Sequence, residues 1–80
     1  MDDRPRGVVV TGAAGDLGRT LCRSFLGDGF AVYAADVAPI DAVPGLVPVR
    51  VDVTDRGQVL GLADLASHDT RLEAWVNAAG

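Results

Sequence analysis

Four short runs of β-branched and other apolar residues alternate along this 80-residue chain with segments that carry glycine, proline and charged residues. Each run fits one short buried strand and is too short for a helix. Near-continuous apolar runs are typical of parallel strands that are covered on both faces. The predicted strands are residues 8–10, 30–35, 46–51 and 72–76.

Two of the connecting segments predict helices. After the first strand, Leu17, Leu21 and Phe25 recur at helical spacing, and the Gly-Asp-Gly sequence at residues 27–29 stops this helix. A second helix is predicted over residues 55–67. Right-handed crossovers place the first helix on one face of the sheet and the second helix on the other, so each face has thin cover.

Capping and proline signals define the remaining connections. Asp55 is the predicted N-cap of the second helix, with Gln58 at the capping-box position. Strands two and three are joined only by residues 37–45, in which Pro39 and Pro44 argue against a long helix. We therefore expect a loop or a single turn there, and a third strand that is poorly covered.

A glycine-rich turn joins the first strand to the first helix, with Gly12, Gly15 and Gly18 at the spacing G-x-x-G-x-x-G. Glycines allow a tight turn and a close backbone approach, and the helix N-terminus that follows suits a pyrophosphate. Turn glycines are common, so a purely structural turn has the same pattern. A Walker A loop is excluded, because Arg19-Thr20 follows the last glycine and the chain contains no lysine.

Polar residues close the three later strands. Asp36 stands 18 residues beyond Gly18, where a carboxylate would accept hydrogen bonds from a ribose. Asp52 follows the third strand and Asn77 the fourth. In a parallel sheet of strand order 3-2-1-4 these carboxyl ends face one crevice. The sequence therefore predicts an incomplete, Rossmann-like α/β fold with a ligand site along that edge.

In this order the motifs resemble those of the short-chain dehydrogenases/reductases, over essentially the whole chain. The matching positions are Thr11-Gly12, Asp36, Asp52-Val53 and Asn77-Ala78-Ala79-Gly80. One position departs from the pattern. Asp16 stands where compact members of the family usually carry glycine, whereas Gly15 has the spacing of the extended branch. The Asn-Ala-Ala-Gly segment favours the compact branch.

The resemblance implies a dinucleotide cofactor and a set of residues that bind it. In that interpretation Asp52 accepts a hydrogen bond from the adenine amino group, and Val53 packs on the ring. Asp52 could instead simply end its strand. The implied cofactor-binding residues are Gly12, Gly15, Asp16, Leu17, Gly18, Asp36, Asp52, Val53, Asn77, Ala79 and Gly80.

Asp16 has two interpretations. As a structural residue it lies in the first helical turn, where a carboxylate contributes roughly 0.3 to 1 kcal/mol against the helix dipole. As a site residue it would place negative charge near an anionic pyrophosphate. We favour the structural role, with the side chain turned to solvent and backbone N–H groups doing the binding.

The residues that would carry the family's chemistry are missing. The resemblance implies hydride transfer between a nicotinamide cofactor and an alcohol or ketone, with a tyrosine, a lysine four residues on and a serine. Here the single tyrosine, Tyr33, lies inside the second strand and is followed at that distance by Val37. The serines are Ser24 and Ser67, on the two helices. Without lysine no such cation lowers a tyrosine pKa, and no catalytic residue is predicted.

Two hypotheses account for this combination. In the first, residues 1–80 are the N-terminal dinucleotide-binding part of a single Rossmann-fold domain, truncated before the catalytic half of an oxidoreductase. The parent enzyme would act on a small-molecule alcohol or ketone as a homo-oligomer, and this chain alone would be inactive. In the second, the chain is a non-catalytic dinucleotide-binding or scaffold module. A serine followed by Tyr-x-x-x-Lys downstream would support the first.

Asp36 predicts a preference for NAD over NADP. Its carboxylate can accept hydrogen bonds from both ribose hydroxyls, but it would repel a 2′-phosphate at close range. Val37 adds no compensating cation. Arg19 follows the last glycine of the turn, and we expect its side chain to point along the helix, away from the ribose.

The composition limits the kinds of binding partner and the cellular location that are expected. The formal net charge is −4 and no basic stripe is present, so nucleic acid is not expected as a partner. No apolar stretch approaches the roughly 18 residues that span a bilayer, and the first residues do not resemble a signal peptide. The lone Cys22 fits a reduced cytoplasmic protein and a packing role. His68 is interpreted as a helix C-terminal residue, not a metal ligand.

Overall fold

The computed structural model describes residues 1–78, which form one parallel sheet with a helix on each face. The strand order is β3-β2-β1-β4, and all three neighbouring pairs are parallel. The predicted fold class and strand order are confirmed, and the strand ends shift by no more than two residues. The elements are β1 (Arg6–Thr11), α1 (Asp16–Gly27), β2 (Ala31–Asp36), β3 (Leu46–Arg50), α2 (Arg56–Asp69) and β4 (Arg71–Asn77).

The valines of β1 divide the core into two layers. Val8 and Val10 pack in one cluster with Cys22 of α1, whereas Val9 packs in a second cluster with Leu62 of α2. All three valines are fully buried, and each such side chain contributes roughly 1.5 to 3 kcal/mol through the hydrophobic effect. Cys22 is a small packing residue, as predicted, and β1 lies at the centre of the fold.

The apolar stripe of α1 is shorter than the sequence indicates. Leu21 and Phe25 pack against the core, as their spacing predicts, but Leu17 is 60% exposed. Leu17 lies in the first turn of α1, past the end of β1, where the sheet offers no surface to cover it. An exposed leucine at this end of the sheet is available to contact a ligand.

The end of α1 and the start of α2 lie where the sequence predicts, whereas α2 continues to Asp69, two residues beyond its predicted end. At the end of α1, Asp28 is the C-cap and Gly29 has a left-handed φ of +85°. At the start of α2, the Asp55 carboxylate accepts a hydrogen bond of 3.2 Å from the Gln58 backbone N–H. The Gln58 side chain donates to that carboxylate instead of closing a reciprocal capping box. Within residues 1–78 neither helix is long and apolar enough to cross a membrane.

The connection from β2 to β3 has no helix, as predicted for residues 37–45. Gly45, at a φ of +85°, returns the chain to the sheet and accepts a hydrogen bond from the Val32 backbone N–H. Val47 of β3 is left 44% exposed. Pro48 lacks an N–H group, which β3 tolerates because it is an edge strand of the described sheet. The expectation of a thinly covered third strand is met.

The 80-residue chain is expected to be partly molten or self-associated when isolated. In the described sheet β3 and β4 are edges, and β4 keeps Leu72, Ala74, Trp75 and Val76 only partly buried. Open edges and uncovered apolar surface favour association and loose packing. Thermal unfolding followed by circular dichroism, with sedimentation of the same sample, checks this. A sharp, cooperative transition from a monomer at low concentration would contradict it.

Candidate functional site

Because the four strands are parallel, their carboxyl ends lie along one edge of the sheet, which we call the carboxyl edge. Thr11 pairs in register with Ala35 on one side and with Asn77 on the other. Asp36 pairs in register with Arg50. The residues that the sequence predicts at strand ends are therefore brought to one edge.

The glycine turn, residues 12–15, needs glycine at its first position. Position 18, which faces the turn from α1, needs glycine as well. Gly12 has a left-handed φ of +70°, and its carbonyl accepts a hydrogen bond of 3.2 Å from the Gly15 N–H. At Gly18 an added Cβ would collide with the Gly12 carbonyl oxygen and lie 2.6 Å from the Cα of Ala13. Gly18 therefore lets α1 pack directly on the turn.

The first turn of α1 is open at its N-terminus. Gly15 is the N-cap and provides no side-chain hydrogen bond, so the first N–H groups of the helix lack a side-chain cap. Asp16 and Leu17 are both exposed. The exposure of Asp16 is what its structural interpretation, with the side chain turned to solvent, requires. Free N–H groups at the positive end of the helix dipole are suited to an anionic group.

Asp36 links the end of β2 to the glycine turn. Its Oδ2 accepts a hydrogen bond of 3.0 Å from the Ala14 N–H, and its Oδ1 accepts one of 3.0 Å from the Ala38 N–H. The hydrogen bond from Ala38, with a smaller contribution from Ala14, holds the pKa of Asp36 below its ordinary value. A charged acceptor therefore stands directly beside the turn at neutral pH.

Asp52 uses one oxygen to close its own turn. Its Oδ1 accepts hydrogen bonds from the Thr54 N–H, at 2.9 Å, and from the Thr54 hydroxyl, at 2.6 Å. The bond from that hydroxyl is the main reason that the pKa of Asp52 is lowered. The sequence interpretation missed Thr54, although an aspartate two residues before a threonine is a common turn pattern.

Val53 and Asn77 share a cavity of about 390 Å³ at the carboxyl edge, which we call the Trp75 cavity. Val53 is 48% exposed and can offer a methyl surface to a flat ring. The cavity is lined by Thr11, Val53, Val59, Trp75 and Asn77. Two predicted site residues, one in the connection after β3 and one at the end of β4, therefore meet at one concave surface.

Two donors hold the side chain of Asn77 in one orientation. Its Oδ1 accepts hydrogen bonds from the Thr11 hydroxyl, at 2.8 Å, and from the Trp75 indole N–H, at 3.1 Å. The NH₂ group of Asn77 is therefore the part left to donate to a ligand. Trp75 was missed as a partner, although residues two apart on a strand share a face. The predicted site residues Ala79 and Gly80 lie outside the described residues.

A second cavity, of about 500 Å³, lies between α1 and residues 37–45, and we call it the α1 cavity. Arg19 borders it together with Ala14 of the glycine turn. We expected Arg19 to point along the helix, but its position on α1 faces this space. The lining residues are Ala13, Ala14, Arg19, Cys22, Arg23, Leu26, Pro39, Ile40, Asp41, Val43 and Leu46.

Tyr33 has a structural partner away from the glycine turn. It is 4% exposed, and its hydroxyl donates a hydrogen bond of 2.7 Å to Oδ2 of Asp69 at the end of α2. Burial, reinforced by this hydrogen bond to a carboxylate, raises the pKa of Tyr33 to about 12. A phenol held neutral in the core is unsuited to proton exchange with a substrate.

The alkaline titration of Tyr33 is expected to have its midpoint near pH 12, against 10.0 for a free tyrosine. Because the folded-state pKa is raised, the stability that Tyr33 contributes is complete below pH 10 and is lost as the pH rises towards 12. Ultraviolet absorbance of the phenolate measures this directly, since the chain has one tyrosine. Replacing Asp69 with alanine should lower the midpoint. A midpoint at the free value in the folded chain would show that Tyr33 is neither buried nor hydrogen-bonded to Asp69.

No protein-family model matches the chain. The chain is 39% identical, over an alignment 93 positions long, to an uncharacterised short-chain type dehydrogenase/reductase of Sinorhizobium fredii. That alignment covers 100% of this chain and 17% of the relative.

Two solved structures share the fold at moderate identity. The 3-hydroxyacyl-CoA dehydrogenase type-2 of Mycobacterium avium superposes with a TM-score of 0.81 at 28% identity, over 95% of this chain and 33% of that protein. A mutant uronate dehydrogenase of Agrobacterium tumefaciens, complexed with NAD, superposes with a TM-score of 0.76 at 28% identity. The superposition covers 94% of this chain and 26% of that protein. The chain thus spans a third or less of these proteins.

Proposed function

We propose that this chain, which is related to the short-chain dehydrogenases/reductases, is the NAD-binding part of an oxidoreductase of that type. The observation that carries the proposal is the hydrogen bond of 3.0 Å from the Ala14 N–H to the Asp36 carboxylate. It places a charged acceptor next to a glycine turn and a helix N-terminus. This is the arrangement that a ribose attached to a pyrophosphate requires.

Each part of NAD has a counterpart along the carboxyl edge. The pyrophosphate would bind the N–H groups of the glycine turn and the first turn of α1, and the ribose hydroxyls would donate to Asp36. The adenine would pack on Val53 with Asp52 near its amino group. The NH₂ group of Asn77 would donate to the cofactor. The remaining proposed contacts are Gly12, Gly15, Asp16, Leu17, Gly18, Ala79 and Gly80.

When bound, NAD supplies the hydride acceptor for an alcohol, and its reduced form returns a hydride to a ketone. This chain's own contribution is to hold and orient the cofactor. We propose that residues 1–80 are the N-terminal part of one Rossmann-fold domain and that the tyrosine, lysine and serine of catalysis lie outside them. We also propose that the parent enzyme is a homo-oligomer in the cytoplasm. The buried packing role of Cys22 is compatible with a reducing compartment.

A non-catalytic dinucleotide-binding module is the second candidate. One observation favours it for the chain taken alone: the single tyrosine is buried against Asp69, and lysine is absent from the sequence. Both candidates need the cofactor site and differ only in the residues that follow it.

The parent enzyme is expected to bind NAD through residues 1–80, whereas the 80-residue chain alone is expected to turn over no alcohol. Calorimetric titration with NAD tests the binding, and absorbance of the reduced cofactor tests turnover with a panel of small alcohols. Absence of NAD binding by the folded parent enzyme would contradict the proposed function. Turnover by purified chain that disappears on replacing Tyr33 with phenylalanine would show that the catalytic role of this tyrosine has been missed.

A further inference from the structure

The connection from β3 to α2 holds both residues that are proposed to contact the adenine. Residues 52–55, which we call the β3–α2 turn, are all exposed, and Val53 is 48% exposed. The turn is closed by the Asp55 N–H, which donates a hydrogen bond of 3.0 Å to the Asp52 carbonyl. Hydrogen bonds rather than buried side chains therefore hold the shape of this turn.

Gln58, in the first turn of α2, braces the β3–α2 turn at both of its ends. Its side-chain oxygen accepts a hydrogen bond of 2.8 Å from the Asp52 N–H, and its NH₂ group donates one of 3.1 Å to Oδ2 of Asp55. A glutamine can do both because its terminal amide presents an acceptor and a donor together. One side chain therefore ties the first and the last residue of the turn to the helix.

The position of Asp52 decides where its free oxygen lies. Its Oδ1 is taken by the N–H and the hydroxyl of Thr54, whereas Oδ2 accepts no hydrogen bond from any of residues 1–78. Oδ2 is therefore the atom left for an exocyclic amino group, which adenine has. A hypoxanthine ring has a carbonyl oxygen at that position, and two acceptors that face each other form no hydrogen bond.

Resting on the proposed NAD site, we propose that Gln58 is a positioning residue for adenine recognition, which holds the β3–α2 turn so that Oδ2 of Asp52 meets the adenine amino group. Gln58 acts through the backbone of Asp52. Without this brace the turn would place Oδ2 correctly only part of the time, and the apparent affinity for NAD falls with that fraction. A cofactor that forms no hydrogen bond with Asp52 should be affected much less.

The experiment titrates the parent enzyme by calorimetry with NAD and, separately, with nicotinamide hypoxanthine dinucleotide. The unsubstituted enzyme should bind NAD about tenfold or more tightly than the analogue, because a hydrogen bond to a charged group is at stake. Gln58→Ala should lower NAD affinity about threefold to tenfold and the affinity for the analogue by less than about twofold. The ratio of the two affinities therefore narrows.

Two further variants separate positioning from a general loss of stability. Ala66→Gly is the matched control, since Ala66 is buried near the other end of α2 and glycine there weakens the helix. It should leave the ratio unchanged. In an Asp52→Ala background the carboxylate is gone, so adding Gln58→Ala should no longer change the ratio. Circular dichroism checks that each variant is folded.

The outcomes separate this inference from the proposed function. A ratio that narrows on Gln58→Ala only while Asp52 is present supports the positioning role. An unchanged ratio in Gln58→Ala, or equal affinities of the unsubstituted enzyme for NAD and the analogue, overturns that role and leaves the NAD site standing. Binding of neither dinucleotide by the folded, unsubstituted parent enzyme overturns the proposed function and this inference together.

Discussion

Replacing Gly18 with alanine is expected to destabilise the fold and to abolish NAD binding. The new methyl group would collide with the Gly12 carbonyl oxygen and lie 2.6 Å from the Cα of Ala13. Both are backbone atoms, so no side-chain rotation relieves the overlap, and either α1 or the glycine turn must move. Overpacking of this kind costs about 1 to 3 kcal/mol, and alanine's better helix propensity offsets at most about 1 kcal/mol. Urea unfolding of the parent enzyme and its calorimetric titration with NAD measure the two effects.

Two other glycines provide matched controls. Gly61 lies within α2 with nothing within 4 Å of an added Cβ, so Gly61→Ala should stabilise the fold by about 0.5 to 1 kcal/mol and leave NAD binding unchanged. At Gly15 the added Cβ would be 3.5 Å from the Gly12 oxygen, an ordinary contact. Gly15→Ala should therefore keep the fold and weaken NAD binding only, because the methyl group stands where the pyrophosphate approaches. Normal NAD affinity in folded Gly18→Ala would show that this turn does not bind the cofactor.

The strands and their order could be predicted because a parallel sheet buries both faces of its central strands. The valines of β1 are a continuous apolar run, and their full burial is what such a run indicates. Helix ends followed equally from local signals, since Asp55 and Gly29 act through hydrogen bonds and dihedral angles close by in sequence. Leu17 shares the helical spacing of Leu21 and Phe25 but is exposed, because helical periodicity identifies one side of a helix and not how far the sheet extends beneath it.

The contacts that build the site could not be predicted in detail. Asp36 bonds to an amide 22 residues away, and Asn77 to a hydroxyl 66 residues away. Strand spacing predicts that such residues share an edge, but the pairing of atoms depends on side-chain directions that the sequence pattern does not contain. Gly7 is a further case. An added Cβ there would collide with the Thr70 side chain, a constraint that becomes visible only when β1 and the end of α2 are packed.

Asp36 is expected to make the chain bind NAD more tightly than NADP. Two like charges about 4 Å apart repel by roughly 4 kcal/mol at an effective dielectric constant near 20. Asp36 is only half-buried, so solvent screening reduces that value, and a preference of about tenfold to a hundredfold is expected. Titration of both cofactors against the parent enzyme by calorimetry measures the ratio of the two affinities. Tighter binding of NADP than of NAD with Asp36 intact would contradict this role of Asp36.

Two substitutions, made one after the other, should reduce the preference for NAD over NADP. Asp36→Ala removes the acceptor for the ribose hydroxyls and the repulsion of a 2′-phosphate, so NAD affinity should fall while NADP affinity falls less or rises. Adding Val37→Arg should narrow the ratio further, because Val37 is 56% exposed and an arginine there can reach a phosphate in solvent. A ratio unchanged by both substitutions would remove charge at this strand end as the cause of the preference.

The same carboxylate also holds the glycine turn, and the ratio of affinities separates the two roles. Asp36→Ala frees the amide groups of Ala14 and Ala38, which would weaken NAD and NADP in proportion if loosening were the whole effect. A charge effect instead changes the ratio of the NAD and NADP affinities.

The effect of Asp36 on the preference should also depend on pH only at acidic values. Because hydrogen bonding lowers the pKa of Asp36, its carboxylate is charged above the ordinary pKa of 3.8 and loses this charge only as the pH falls through the lowered pKa. The contribution of Asp36 to the NAD preference should therefore be constant through neutral pH, and a change in the ratio between pH 6 and 8 is expected only from the phosphate, whose second ionisation lies near pH 6.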